Sequence, residues 1–200
     1  MSIQLAPPDW SALEKLLRAH PCADARESED VARVLSFLRA HPHDAHLRSQ
    51  PLGHLTGSAF LLDATGARVL LLHHGKLNRW LQPGGHGEGE LDPRAIALRE
   101  VEEETGFQPS DLSPLPDSDL KPREAPLFDV DIHTIPARPN EPEHSHLDLR
   151  FAWKVRAGAT PRLSSESRAL DWFSLENPPA GADPALLRAF HKLRNLSVTP

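Results

Sequence analysis

Gly85-His86-Gly87-Glu88-Gly89-Glu90-Leu91-Asp92-Pro93-Arg94-Ala95-Ile96-Ala97-Leu98-Arg99-Glu100-Val101-Glu102-Glu103-Glu104-Thr105-Gly106-Phe107 reads as a glycine-rich loop running into an acidic helix. Asp92 followed by Pro93 is a helix start, because the carboxylate can accept orphan backbone N–H groups and proline suits the first helical position. Gly106 supplies the stop. At about 100° per residue, Ala97, Leu98, Val101 and Thr105 gather on the side that faces a core. Glu100, Glu103 and Glu104 gather on another side, and Glu102 points away from them. Like charges at three- and four-residue spacing repel, so water or a cation must relieve them. All-oxygen ligands suit Mg²⁺ or Mn²⁺. A solvated acidic face is the plainer reading of a glutamate run. The loop argues against it: Gly84, Gly85, Gly87 and Gly89 permit close backbone approaches that an ordinary helix entry does not need.

The chain of 200 residues fits one domain, or one domain with an appendage, and 39% hydrophobic residues suffice for a packed core. Its net charge of −6 argues against nonspecific nucleic-acid binding, which needs a basic face. A phosphate substrate then needs a metal or local basic residues. Cys22 is the single cysteine, so an internal disulfide is excluded and a reducing cytoplasm fits. No apolar run is long enough to span a membrane, and Met1 to His20 lacks a signal-peptide core. The expected protein is soluble and cytoplasmic.

Helical spacing over Trp10–Arg18 and Glu29–Ala40 predicts an N-terminal helical pair, with His41 to Gly53 as a linker. The expected organisation is an N-terminal helical segment over 1–48 and a main domain over 49–200. Strand signals cover His54–Leu62 and Arg68–His73, flanking the turn Asp63-Ala64-Thr65-Gly66. Asp111 to Pro126 carries four prolines and is expected to be mostly loop. Leu127–Ile135 and Leu147–Val155 alternate with a two-residue period and resemble paired strands. Ala169–Leu175 adds a short strand, and Pro184–Leu196 a closing amphipathic helix.

Twelve histidines stand against no tyrosine. Period two places Asp129, Asp131 and His133 on one face, and likewise His144, His146 and Asp148. His86 in the loop and His54 before the first strand can converge there. For any one of them, a solvent-facing position on a half-exposed sheet is the simpler reading. As a set, His86, His133, His144, His146 and Asp148 form a candidate second metal or phosphate site, because His-x-His-x-Asp has one-face geometry. Lys76, Arg79 and Arg150 are candidate phosphate-binding cations, with surface cations as the alternative. Trp80 and Phe128 are candidates for stacking a nucleobase, or for the core.

Gly85 together with Arg99-Glu100-Val101-Glu102-Glu103-Glu104-Thr105-Gly106-Phe107, fourteen residues on, resembles the Nudix box, G-x5-E-x7-R-E-U-x-E-E-x-G-U with U apolar. One position departs: Leu91 stands where the first glutamate is expected, with Glu90 beside it. His73 to His86 and the His-x-His-x-Asp-x-Arg-Phe segment are similar to one bacterial Nudix subgroup. The resemblance implies an α/β/α sandwich with a mixed sheet, here preceded by the N-terminal helical segment. It implies a hydrolase that cleaves the diphosphate linkage of a small-molecule nucleoside diphosphate derivative. Gly85, Glu100, Glu103 and Glu104 would hold Mg²⁺ or Mn²⁺, Glu103 or Glu100 would act as base, and Arg99 would fix a carboxylate. A non-catalytic Nudix nucleotide-binding module is the first alternative, although such modules generally lose box glutamates. An isopentenyl-diphosphate isomerase is the second, but it needs a cysteine where this chain has Gly84. The N-terminal helices have two readings, a cap over the pocket or a homodimer contact.

Overall fold

The computed structural model describes residues 6, 8–75, 77–116, 119–139, 141–165 and 167–197. Helices α1 (Ser11–Ala19) and α2 (Ala25–Ala40) come first, then β1 (Gly53–Leu62), β2 (Arg68–His74), β3 (Arg79–Leu81) and β4 (Gly84–His86). Helix α3 (Pro93–Thr105) is followed by β5 (Leu112–Pro114), β6 (Leu127–Ile135), β7 (His144–Val155), β8 (Ser167–Ser174) and α4 (Pro184–Ser197). The eight strands form one mixed sheet. At its centre β1 and β7 run parallel over ten paired positions, from Gly53 opposite Ser145 to Leu62 opposite Lys154. The other flank of β1 is shared: β2 pairs with its end at Leu61 and Leu62, and β4 with Thr56, Gly57 and Ser58.

Alternation along the two central strands divides the core. Leu55, Ala59 and Leu61 of β1, with Leu147, Leu149, Phe151 and Trp153 of β7, pack against apolar residues of α1, α2 and α3. Phe60, Leu62, Leu71 and Ala152 face the other way, onto Leu186, Phe190 and Leu193 of α4. The result is the expected three-layer α/β/α arrangement. The pairing of α3 with the sheet is close because β1 has Gly57 there: a Cβ at that position would run into the Pro93 carbonyl and lie 2.9 Å from Ile96 Cβ. Asp92 caps α3 by accepting from Arg94 N, and Gly106 ends it at φ 73°. Both ends match the sequence reading.

The N-terminal pair does more than add apolar surface. β6 pairs with β7 on one side only, and its outer edge would otherwise present unpaired N–H and C=O groups. Buried carboxylates from α2 meet that edge: Glu27 Oε1 accepts from Val130 N at 3.2 Å, and Asp30 Oδ2 accepts from Ile132 N at 3.3 Å. Arg26 and His20 donate to the carbonyls of Ile132 and Leu127. Lys192 of α4 then closes the layer, donating to Glu27 Oε1 at 2.6 Å and to Asp129 Oδ1 at 3.1 Å.

The structure extends α2 back to Ala25, four residues before the expected start, because Asp24 accepts from Glu27 N and so begins the helix earlier. It also adds β3 just before the glycine-rich loop and β4 within it. Among the described residues, no helix is long and apolar enough to cross a membrane.

Burial opposes ionisation of Glu27, but His20, the Ala23 N–H and Lys192 outweigh it and hold the carboxyl well below the usual range. Asp131, likewise opposed by burial, is lowered to about 2 by the His133 hydrogen bond and by Arg150. A carboxyl with a depressed folded-state pKa stabilises the fold above its unfolded value, and that contribution disappears as pH falls. The protein should therefore lose stability from about pH 4 towards pH 2. Glu27→Ala should cost about 3 kcal/mol in urea unfolding by leaving the Val130 N–H unpaired and removing one of the two carboxylates at Lys192, and should flatten the acid limb. Arg18→Ala, at the exposed pair with Glu14, should change stability by less than about 0.5 kcal/mol.

Candidate functional site

Strand β4 is where the two expected clusters meet. It is only three residues long and antiparallel to β1, with Gly85 opposite Gly57 and His86 opposite Thr56. Successive residues of a strand point to opposite faces. Position 85 therefore faces α3, and His86 faces the side of the sheet that carries His54 and His146.

On the α3 side, the Glu100 carboxylate packs against Gly85 so closely that a Cβ there would lie 2.5 Å from Oε1. Glu104 accepts from Gly84 N at 3.0 Å. Arg99 ties the group together: it donates to Glu103 at 3.1 Å, lies 2.9 Å from Glu100 Oε1, and donates to the His86 carbonyl. Glu100 and Glu104 thus meet β4, and Arg99 links Glu103 to Glu100, while Glu102 is exposed. Glu103 is the open member, its side chain 55% exposed against 12% for Glu100. Burial raises the Glu100 pKa to about 7; Arg99 works against the shift and Glu103 adds to it. Glu90, the neighbour of Leu91, does not join them. Its Oε1 accepts from Leu91 N at 2.7 Å and Asp92 N at 2.9 Å, closing the turn before α3.

On the other side, His54 stands opposite His146 in the parallel ladder, and His146 stands opposite His133 in the antiparallel one. The His54 ring centroid lies 5.0 Å from that of His86, 5.1 Å from His144 and 4.9 Å from His146. His86 Nε2 and His146 Nε2 are 3.2 Å apart. Burial lowers the pKa of His54 to about 4 and of His146 to about 2, with neighbouring imidazoles adding to both shifts. His133 touches only the rim: its ring is 5.4 Å from His146, and its Nδ1 bonds Asp131 at 3.1 Å.

Asp148, expected beside the histidines, is turned to other partners. Its oxygens accept from Thr56 Oγ1 at 3.0 Å, Ser58 Oγ at 2.7 Å and Arg150 Nε at 2.8 Å. Arg150, expected at a substrate phosphate, is instead buried at 4% exposure. Its three guanidinium nitrogens reach Asp148, Asp129 and Asp131 at 2.8, 3.2 and 3.0 Å. Alternation put it on the histidine face, but the aspartates of β6 hold it there as a structural cation. Phe128 is a core residue, 5.5 Å from Phe60 between ring centroids. Trp80 stacks edge-on against Phe173. Arg79 is on the surface, 3.0 Å from Asp183, and Lys76 lies outside the described residues.

The NUDIX domain family model matches residues 54–193. The chain is similar to a protein of Lactococcus lactis subsp. cremoris (strain MG1363) named as a probable DHNTP pyrophosphohydrolase. The two are 24% identical over 174 residues, which cover 86% of this chain and 92% of that protein. In fold it is similar to a C. elegans Ap4A hydrolase in a binary complex, with TM-score 0.55 and 19% identity over 70% of this chain and 95% of that one. A NUDIX-family hydrolase from Clostridium perfringens aligns with TM-score 0.50 and 28% identity, covering 72% of this chain and 97% of that one.

Arg150→Lys separates the structural role from substrate binding. One ammonium cannot reproduce a guanidinium fork on three carboxylates, so unfolding should be easier by about 2 kcal/mol or more. An unchanged urea midpoint together with a raised KM would return Arg150 to the substrate.

Proposed function

Because the chain belongs to the Nudix hydrolase family, we propose that it hydrolyses the diphosphate linkage of a nucleoside diphosphate derivative, with Mg²⁺ or Mn²⁺ held by Glu100, Glu103, Glu104 and the Gly85 backbone. Nudix hydrolases generally use divalent metals, and the donor set suits one. The supporting observation is the seat of Glu100: a carboxylate pressed against backbone and raised to about 7 by burial is relieved by a nearby cation. The oxygen-only character of the group favours a hard ion. Such an ion would neutralise phosphoryl oxygens and acidify a bound water.

The protein's own residues divide the remaining work. Glu103, the exposed carboxylate, is the proton acceptor for the attacking water. Arg99 is a positioning residue, holding Glu100 and Glu103 in one arrangement and fastening both to β4 through the His86 carbonyl. Arg79 and Lys76 are proposed phosphate contacts. The reaction belongs to free small molecules in the cytoplasm, where a lone cysteine stays reduced.

The rival readings fit less well. A binding module without catalysis has no use for a glutamate seated on Gly85 and tied to Glu103 by an arginine. For an isomerase, a thiol would have to stand at position 84. A Cβ there would run into Ser58 and lie 3.1 Å from the Gly57 carbonyl, so the β1–β4 pairing leaves no place for it.

A phosphate-release screen with Mg²⁺ or Mn²⁺, over nucleoside triphosphates, dinucleotide polyphosphates, nucleotide sugars and DHNTP, should reveal one preferred class. On that substrate Glu103→Gln should lower kcat by about 100-fold or more with KM little changed. Undiminished turnover would sink the assignment of Glu103.

A further inference from the structure

The histidine cluster takes no part in the chemistry assigned to the glutamates, and its bonding is incomplete. His54 is 1% exposed, yet neither of its ring nitrogens has a hydrogen-bond partner among the described residues, nor does Nε2 of His144. A buried polar nitrogen left unpaired costs about 1–3 kcal/mol, so two such rings in contact require another explanation. One ligand atom from each of His54, His144 and His146 lies within 4.8 Å of the other two.

We propose that His54, His144 and His146 bind a transition-metal ion of the Zn²⁺ class at a centre separate from the glutamates. Imidazole nitrogens suit Zn²⁺ and its borderline neighbours, whereas Mg²⁺ takes oxygen ligands. The surroundings prepare the ligands. His144 Nδ1 lies 2.9 Å from the Pro142 carbonyl, which can only accept. The proton must sit on Nδ1, so the buried Nε2 carries the lone pair, which is the arrangement that orients metal-bound histidines. His86, 3.2 Å from His146 through its Nε2, is placed to orient His146.

The strand pairing fixes the geometry independently of any side chain. β1 and β7 put His54 beside His146 in register, and the period of two puts His144 on the same face. A cleft of about 480 Å³ lined by Arg48, Gln50, Glu141 and His144 borders the cluster at His144. Three protein ligands leave a tetrahedral ion one further coordination position. Because Gly85 and His86 point to opposite faces of β4, the two centres are back to back. The histidine centre depends on different residues from the proposed hydrolysis, so either reading can fail alone.

The test is Zn²⁺ binding to the full chain in the presence of excess Mg²⁺, with Co²⁺ as a spectroscopic replacement. Wild type and Glu103→Gln should each retain one equivalent of Zn²⁺ through gel filtration, and the Co²⁺ form should show the visible absorption of a nitrogen-ligated ion. His54→Ala and His146→Ala should bind more than about 100-fold more weakly, since loss of a ligand should cost at least as much as loss of its supporting partner. Circular dichroism establishes that each variant is folded. Failure of wild type to retain Zn²⁺, or equal retention by folded His54→Ala, would overturn the proposal. Should both variants unfold, the wild-type Co²⁺ spectrum decides alone: oxygen-only ligation would refute it.

Discussion

The Glu100 carboxylate lies against the Gly85 backbone with no room for a Cβ between them: one built there would stand 2.5 Å from Oε1 and 2.6 Å from Cδ. That contact exists because two ladders and a helix agree on it. β1 holds β4 through three paired positions. Gly57 of the same strand lets α3 approach the sheet, and Arg99 and Glu104 then fasten the helix to the backbone at His86 and Gly84. A loop free to wander would spread its carboxylates apart, as their mutual repulsion favours. Here the backbone geometry overrides that repulsion and leaves it available for a cation to relieve.

The same short strand carries His86 to the opposite face. Below the histidines, Arg150 and Arg188 meet Asp129 and Asp131, and Lys192 joins Asp129 to Glu27. Taking so many charges out of water is costly, and such a network stabilises only when every member is satisfied. Its gain is in placement: it joins β6, β7, α2 and α4 and so fixes where the strands that carry His133, His144 and His146 end up. The N-terminal helices belong to this arrangement, since Glu27 and Asp30 complete the edge of β6.

Local rules made much of this legible in the sequence. The Asp92-Pro93 start and Gly106 stop of α3, and the face shared by Glu100, Glu103 and Glu104, follow from helix geometry and capping alone. Two-residue alternation located β6 and grouped His144 with His146. Long-range contacts were not legible. β4 escaped because Gly84-Gly85-His86 has no strand propensity of its own and exists as a strand only through its pairing with β1. Asp148 was grouped with His144 and His146, but which polar residue faces which depends on strand register, and there Asp148 and the aspartates of β6 claim Arg150. Glu27 gave no signal either. A glutamate in the first turn of a helix reads as a solvated cap, and only the docking of α2 on an open strand edge makes it a buried acceptor.

The catalytic arrangement rests on the fit between Gly85 and Glu100, and Gly85→Ala measures it with one methyl group. The added carbon would displace the carboxylate by about an ångström, and a misplacement of that size costs on the order of 100-fold in rate. Gly85→Ala should lower kcat/KM by about that factor for Mg²⁺-dependent hydrolysis of the preferred substrate, with the far-ultraviolet circular dichroism spectrum retained. A folded Gly85→Ala protein with wild-type kcat/KM would contradict it.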